Sequence, residues 1–206
     1  MAVDLDRYAP AAVLQQTRDS ELKRFRRLHR LAAPVVLYAG PYTADGGLQT
    51  TLAAVEQLRA TTEGLRIAAI PEGPIDQRYL DECEKRALAL GHHAVIEWTA
   101  TDDERTMWYA LAAVVCLPCS ATASVSPRPA QLAAAAARPF VGSNIPALAE
   151  FVDAGETGIL IPPADADALA REVGRLLADD ETATRMGERA RARAEAQWRL
   201  NGGSRA

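Results

Sequence analysis

Two short loops contain the residue types that bind anions through the backbone. Gly40–Gly47 (GPYTADGG) follows a buried apolar run, and Cys119–Arg128 (CSATASVSPR) precedes an alanine-rich helix. Each loop leads into a predicted helix, whose N-terminal N–H groups carry a partial positive charge. Glycine at positions 46 and 47 would let a phosphate approach the backbone closely. The two loops therefore predict an anion site, and a diphosphate suits it.

Arg128 is the side chain of these loops best suited to neutralise a phosphate. It is the only basic residue between Arg105 and Arg138, and Ser-Pro-Arg-Pro places it at a helix entrance. A surface arginine at a proline-bounded turn is the alternative, and the sequence leaves both open. The other residues expected to line the site are Gly40, Gly46, Gly47, Trp98, Thr99, Ser120 and Ser124.

The cysteines and the paired histidines fit packing and solvated loops better than they fit chemistry. Cys116-Leu-Pro-Cys119 has the spacing of redox motifs and half zinc sites, but Cys116 falls in a predicted buried strand, and no second Cys or His pair completes a metal site. His92-His93 would point to opposite faces at a strand entrance. We expect core packing for Cys116, a loop position for Cys119 and a solvated loop for the histidines. No metal, cofactor or catalytic residue is predicted.

Six short apolar runs alternate with amphipathic helices and must position the two loops. The runs are Val35–Ala39, Leu65–Ile70, Ala94–Trp98, Val114–Leu117, Phe140–Ser143 and Gly158–Ile161. Near-continuous apolar runs are typical of strands covered on both faces. Their alternation with helices predicts an α/β fold with a doubly wound parallel sheet, Rossmann-like, whose ligand crevice lies at the carboxyl ends of the strands.

One charged helix is predicted before the first strand, and another is predicted after the last strand. Asp19–Leu31 indicates a basic helix that packs through Leu22, Phe25 and Leu28, and Glu181–Trp198 indicates a second amphipathic helix. We expect an N-terminal arm and basic helix over 1–33, a Rossmann-like ligand-binding domain over 34–180, and a C-terminal helix and loose tail over 181–206. Residues 1–16 are expected to be loosely ordered as well.

The composition excludes several functional classes. Of the 206 residues, 49% are hydrophobic and 24% charged, which is typical of a globular protein and not of a disordered one. A net charge of -4 argues against a broad surface for nucleic acid. No apolar run approaches the ~20 residues that cross a bilayer. Three cysteines and a start without signal-peptide features predict a cytoplasmic location. The basic helix suits an anionic membrane surface, but we expect its apolar residues to pack on the sheet instead.

Five segments, in the same order along the chain, resemble one known family. They are Val36–Gly40 (VLYAG), Tyr109–Pro118 (YALAAVVCLP), Pro139–Asn144 (PFVGSN), Glu150–Leu169 (EFVDAGETGILIPPADADAL) and Met186–Arg191 (MGERAR). The chain resembles the C-terminal, nucleotide-sugar-binding domain of GT-B glycosyltransferases of family 4 (group 1), over roughly Glu21–Trp198. The resemblance implies that a nucleotide diphosphate sugar binds in the crevice for sugar transfer with retained configuration. It also implies an acceptor-binding half, which a partner chain would have to supply.

The charged positions of that family are not preserved. The family carries an arginine just after the first glycine and a lysine before the later one, where this chain has Pro41 and Gly46. Its two glutamates, separated by seven residues, correspond to Ser124 and Leu132. Two hypotheses therefore stay open. The chain is a glycosyltransferase-like donor domain that is inactive in isolation, or it is a degenerate, non-catalytic relative that acts as a binding or scaffolding module.

Overall fold

The computed structural model describes residues 3–31, 34–91, 94–97 and 99–202, with side chains described up to residue 197. The strands of this part of the chain are β1 Val35–Tyr42, β2 Arg66–Ile75, β3 Ala94–Ile96, β4 Val114–Leu117, β5 Phe140–Ser143 and β6 Ile159–Ile161. The helices are α1 Ala11–Leu28, α2 Leu48–Leu58, α3 Gln77–Ala89, α4 Asp102–Leu111, α5 Arg128–Ala135, α6 Pro146–Ala149, α7 Ala166–Ala178 and α8 Asp180–Gly202.

The strands form one parallel sheet in the order β3-β2-β1-β4-β5-β6. β1 lies at its centre, where Val36 pairs with Ile67 of β2 on one side and with Val114 of β4 on the other. All eight residues of β1 are buried, as expected for a strand that is covered on both faces. The predicted doubly wound α/β fold is confirmed.

Helices cover the sheet in two groups. α2 packs against α3 and α7, whereas α1 packs on α4 and α5 packs on α8. Right-handed crossovers place these groups on opposite faces of the sheet. The chain leaves β1 toward β2 and leaves β4 toward β5, so the connections diverge between two adjacent strands. This topological switch point opens a crevice at the carboxyl ends of β1 and β4.

The N-terminal region is more ordered than the sequence suggested. α1 begins at Ala11 instead of Asp19, with a kink at Arg18, and Tyr8 before it is only 3% exposed. Arg191 of α8 holds the preceding segment by donating hydrogen bonds to the carbonyl oxygens of Leu5 (2.9 Å) and Tyr8 (3.3 Å). The expectation of a loosely ordered start is therefore wrong for residues 3–16, because tertiary contacts fix a segment that has little helical pattern of its own.

α5 and α8 meet at a turn that explains part of the family resemblance. Ala137 closes α5 in the left-handed conformation, with φ of 52°. A Cβ atom on Gly187 would lie 2.2 Å from the carbonyl oxygen of Ala137, so only glycine lets α8 approach this turn. The Met-Gly pair of the C-terminal segment is therefore a packing requirement.

Candidate functional site

The loop after β1 and the loop after β4 meet at the switch point. Gly47 precedes α2 with φ of 98°, a left-handed conformation that favours glycine. The N–H of Ser120 in the second loop donates to the carbonyl oxygen of Asp45 in the first, at 2.8 Å. Ser143 of β5 donates to the carbonyl oxygen of Cys119 at 2.6 Å, which fixes the second loop to the sheet. The predicted loops thus form one connected surface at this edge.

The glycines of the first loop serve packing. A Cβ atom on Gly47 would lie 2.3 Å from the carbonyl oxygen of Pro118, and one on Gly46 would lie 2.2 Å from that of Pro41. A Cβ atom on Gly40 would meet the Leu117 side chain at 2.5 Å. The space beside these glycines is therefore filled by the protein itself. Close packing is therefore a sufficient reason for glycine at positions 46 and 47, and a phosphate approaching their backbone stays a prediction.

The N-terminus of α2 presents backbone N–H groups that can donate to a ligand. No side chain caps this helix and its first turn carries no acidic residue. The N–H of Gln49 donates to the hydroxyl of Tyr79 at 3.0 Å. Within the described residues, the N–H groups of Gly47 and Thr50 donate to no acceptor. Because the N–H groups of a first turn lie along the helix axis, they present partial positive charge to the crevice.

The N-terminus of α5 offers less. Pro129 lies in its first turn and has no N–H, while the N–H of Arg128 already donates to the Ser126 hydroxyl at 3.2 Å. Ser124 is exposed in the preceding loop, and the Ser120 hydroxyl lies 3.4 Å from that of Thr122. The sequence offers no reason to prefer the N-terminus of α2 or that of α5. The structure favours α2 as the source of backbone N–H donors.

Three charged side chains gather at the same edge of the sheet. Glu72 in β2 contacts Arg105 of α4, and its Oε2 lies 3.8 Å from Nε of Arg128. Arg105 also donates to the carbonyl oxygens of Pro71 (3.2 Å) and Ala100 (3.1 Å), so it is held in one position. Burial raises the pKa of Glu72 above its ordinary value, although both arginines act in the opposite direction.

Arg128 is the least constrained member of this cluster. Its side chain is 30% exposed, compared with 14% for Arg105 and 10% for Glu72. At 3.8 Å its ion pair with Glu72 is too long for a hydrogen bond. Arg128 therefore lies at the predicted edge as a cation with one loose partner. Sequence reasoning missed Glu72 and Arg105, although an acidic residue directly after the buried run of β2 was a usable signal.

Two tyrosines lie beneath the charged cluster. The Tyr8 and Tyr109 rings meet edge to face with centroids 6.0 Å apart, and both hydroxyls are buried without a hydrogen-bond partner in the described part of the chain. Burial raises the pKa of each tyrosine, while the nearby Arg105 and Arg128 lower it. Both hydroxyls are therefore protonated at neutral pH and can donate hydrogen bonds.

The remaining predicted site residues are spread more widely. Thr99 is exposed between β3 and α4, whereas Trp98 and the His92-His93 pair lie outside the described residues. α4 begins with a capping box, in which Thr101 and Glu104 satisfy each other's backbone N–H groups. These N–H groups at the start of α4 are therefore already satisfied within the helix.

The cysteine side chains are all buried thiols. Burial raises the pKa of Cys83 to about 11, and it also raises the pKa values of Cys116 and Cys119. Cys116 lies in β4 and Cys119 in the loop, as predicted. Thiols of this kind are poor nucleophiles and poor metal ligands. Among the described residues, no group of three His, Cys, Asp or Glu side chains could hold a metal ion.

His29 is packed in the core and makes no site. Its ring lies between Phe25 and Trp108, with centroids 4.3 Å and 4.7 Å away, and its Nδ1 is 3.4 Å from Glu97. Burial lowers the pKa of this histidine, so it is mainly neutral at pH 7.

The family model for Glycosyl transferases group 1 matches residues 33–179. This chain belongs to that family. The group 1 domain is 28% identical over 204 residues to the GDP-mannose-dependent alpha-(1-6)-phosphatidylinositol monomannoside mannosyltransferase of Mycobacterium tuberculosis, covering 96% of this chain and 50% of the relative. The chain spans about half the length, or less, of the curated relatives that it matches.

Solved structures match the same fold. The C-terminal domain of a group 1 glycosyltransferase, LpcC of Francisella tularensis, superposes with a TM-score of 0.79 at 17% identity, covering 95% of this chain and 98% of that one. Anabaena HepE, in complex with UDP and glucose, superposes at 0.80 with 18% identity, covering 96% of this chain and 51% of that one. The predicted resemblance to the C-terminal half of a GT-B enzyme is confirmed. None of the helices in the described ranges is long and apolar enough to span a membrane.

Proposed function

We propose that this domain binds a nucleotide diphosphate sugar in the crevice at the carboxyl ends of β1 and β4. The open N-terminus of α2 is the observation that carries this proposal. Among the described residues, the N–H groups of Gly47 and Thr50 have no acceptor, and they lie at the positive end of an 11-residue helix. A diphosphate is the group that such an end favours. The complex of Anabaena HepE with UDP and glucose supports a nucleotide sugar as the ligand.

Arg128 would provide the side-chain charge for the diphosphate. It stands at the edge where the two loops meet, and its loose ion pair with Glu72 leaves it free to turn toward a ligand. The acidic Asp45 lies exposed in the first loop, with its carboxylate held by the Thr43 hydroxyl at 2.7 Å. Because Asp45 opposes an anion, we expect the affinity to be modest.

The reaction proposed for this domain is retaining sugar transfer after an acceptor-binding half completes the cleft. Transfer requires the donor and the acceptor hydroxyl to be held in line, and such positioning accounts for ~7–11 kcal/mol of a barrier. The domain provides the donor side of that geometry. The family membership and the coverage of about half of each relative support a donor-binding domain that a separate acceptor-binding half completes.

Amide NMR titration of the purified chain with UDP and GDP tests the site. We expect the largest shifts at Gly47, Leu48, Thr50 and Ser120, because their N–H groups lie at or next to the proposed diphosphate position. Uridine, which lacks the diphosphate, is the control and should shift these amides much less. Shifts that cluster instead on α8 would contradict the proposal. Binding without transfer, even with an acceptor-binding half present, would favour the non-catalytic alternative.

A further inference from the structure

The outward side of α1 carries an unusual concentration of positive charge. Residues 23–30 include five basic side chains, whereas the whole chain has a net charge of -4. No acidic residue occurs between Glu21 and Asp45 to offset them. We call this set the basic face; its members are Lys23, Arg24, Arg26, Arg27 and Arg30.

The basic face is exposed and almost without ion pairs. All five side chains are exposed, and Lys23 alone forms an ion pair, with Asp19 at 2.6 Å. In the described part of the chain the four arginines have no acidic partner within ion-pair distance. Intramolecular ion pairs would normally reduce the repulsion among such charges. Their scarcity leaves the charge available to an external anionic partner.

Leu28 lies in the middle of this charge. The sequence predicted that it would pack with Leu22 and Phe25, but it is 74% exposed while the other two are buried. That expectation was wrong because Leu28 ends α1 on the side turned away from α4. Arg24 precedes it by four positions, so the two side chains are neighbours on the helix surface.

The basic face also contains a recess. An open depression of about 620 Å³ is lined by Leu31 and by four cations, Lys23, Arg26, Arg27 and Arg30. Its positive charge suits a phosphate group. A phosphate held there would meet several guanidinium donors at once.

We propose that the basic face docks on an anionic phospholipid bilayer, with Leu28 entering the interface and lipid phosphates entering the recess. The basic face has one exposed large apolar residue, Leu28, and its recess is lined mainly by cations, so it offers little apolar surface to a folded protein partner. A bilayer supplies diffuse negative charge and yields to an inserted leucine. Each basic residue near such a surface strengthens binding about fivefold.

Docking in this way leaves the proposed nucleotide site accessible. Arg66, at the start of β2, donates at 2.7 Å to the carbonyl oxygens of His29 and Arg30. The end of α1 therefore lies at the amino edge of the sheet, opposite the crevice. Membrane binding and nucleotide binding are thus independent, and each can be measured without the other.

Co-sedimentation with vesicles tests the proposal. We expect the chain to bind vesicles of phosphatidylcholine with about one third phosphatidylglycerol at low salt, and to bind pure phosphatidylcholine far more weakly. The double variant R24Q/R27Q should lose about 30-fold in affinity for the anionic vesicles. The matched control is R59Q/R78Q, which removes two exposed arginines, one directly after α2 and one in α3, and should lose little.

A second pair of variants isolates the leucine. Leu28→Ser should weaken vesicle binding several-fold, whereas Leu88→Ser, at an equally exposed position (79%) on α3, should not. Circular dichroism and UDP titration verify that the variants are folded. Equal losses in R24Q/R27Q and R59Q/R78Q, or no binding to anionic vesicles at low salt, would overturn the proposal. So would a preference for RNA or an acidic protein over the vesicles.

Discussion

Replacing Arg128 with alanine is the most direct perturbation of the proposed diphosphate site. Arg128 begins α5, directly after the loop that follows β4, and its Nε lies 3.8 Å from Glu72. When a diphosphate binds, the guanidinium must leave that carboxylate and turn to the ligand. The affinity that Arg128 contributes is therefore the difference between two interactions.

The two interactions have different strengths. A hydrogen bond from a guanidinium to a phosphate contributes about 1.5–3 kcal/mol. The pair with Glu72 contributes only about 0.2–1 kcal/mol, because it is long and Arg128 is 30% exposed. The difference is about 1–2 kcal/mol, so R128A should weaken UDP or GDP binding by roughly 5- to 30-fold.

Isothermal titration of UDP into the wild type and the variants measures this effect. R128K retains the charge and should lose less affinity than R128A. R171A removes an arginine that is 67% exposed on α7 and pairs with Glu172, and this variant should bind like the wild type. Affinity of the wild type should also fall with added salt. An unchanged titration curve for R128A would refute the prediction. It would favour the alternative, in which Arg128 is a surface arginine at a proline-bounded turn.

Further predictions concern stability and turnover. Ala137→Gly should stabilise the fold by about 0.5–1 kcal/mol, since it relieves a left-handed alanine, whereas the control Ala135→Gly, in α5, should destabilise it; urea unfolding measures both. Gly187→Ala should cost more than about 1 kcal/mol in the same assay, because its Cβ atom would strike a backbone carbonyl. Hydrogen bonds from the Thr101 N–H and hydroxyl hold the pKa of Glu104 below its ordinary value. The ionised Glu104 therefore stabilises the fold at pH values above its ordinary pKa, and this stabilisation is lost as the pH falls through the lower pKa of the folded state. Glu104→Gln should reduce the difference in unfolding free energy between neutral and acidic pH. The chain alone should transfer no sugar from UDP-, GDP- or ADP-sugars. Robust product formation would contradict the proposal that transfer requires an acceptor-binding half.

The sheet could be predicted because its strands are covered on both faces. Strands such as Val114–Leu117 are apolar throughout, and such runs are visible in a sequence. β2 was predicted to end at Ile70 but continues to Ile75, because Tyr42 of β1 pairs with Ile75 across a bulge. The extension contains proline, glutamate and glycine, so its strand character comes from the neighbouring strand alone.

The candidate site was predictable in position but not in its electrostatics. The switch point follows from strand order, and Arg128 was placed at it from the sequence. The contact between Arg105 and Glu72 joins residues 33 positions apart, which no local pattern reveals. A charged residue directly after a buried strand, as at Glu72, was the available signal. The sequence could not separate the two reasons for the glycine pair, because close packing and phosphate binding favour the same residue type.

The charges at this edge indicate how donor binding would be controlled. Arg105 has several acceptors and cannot turn to a ligand without losing them. Arg128 has one loose partner, so it alone of the two arginines can exchange Glu72 for a phosphate. The family resemblance implies an arginine and a lysine where this chain has Pro41 and Gly46. Nucleotide binding would therefore depend on the backbone N–H groups of α2 and on Arg128, which would have to leave Glu72. Affinity in such a site is limited by competition from Glu72, which pairs with both Arg105 and Arg128.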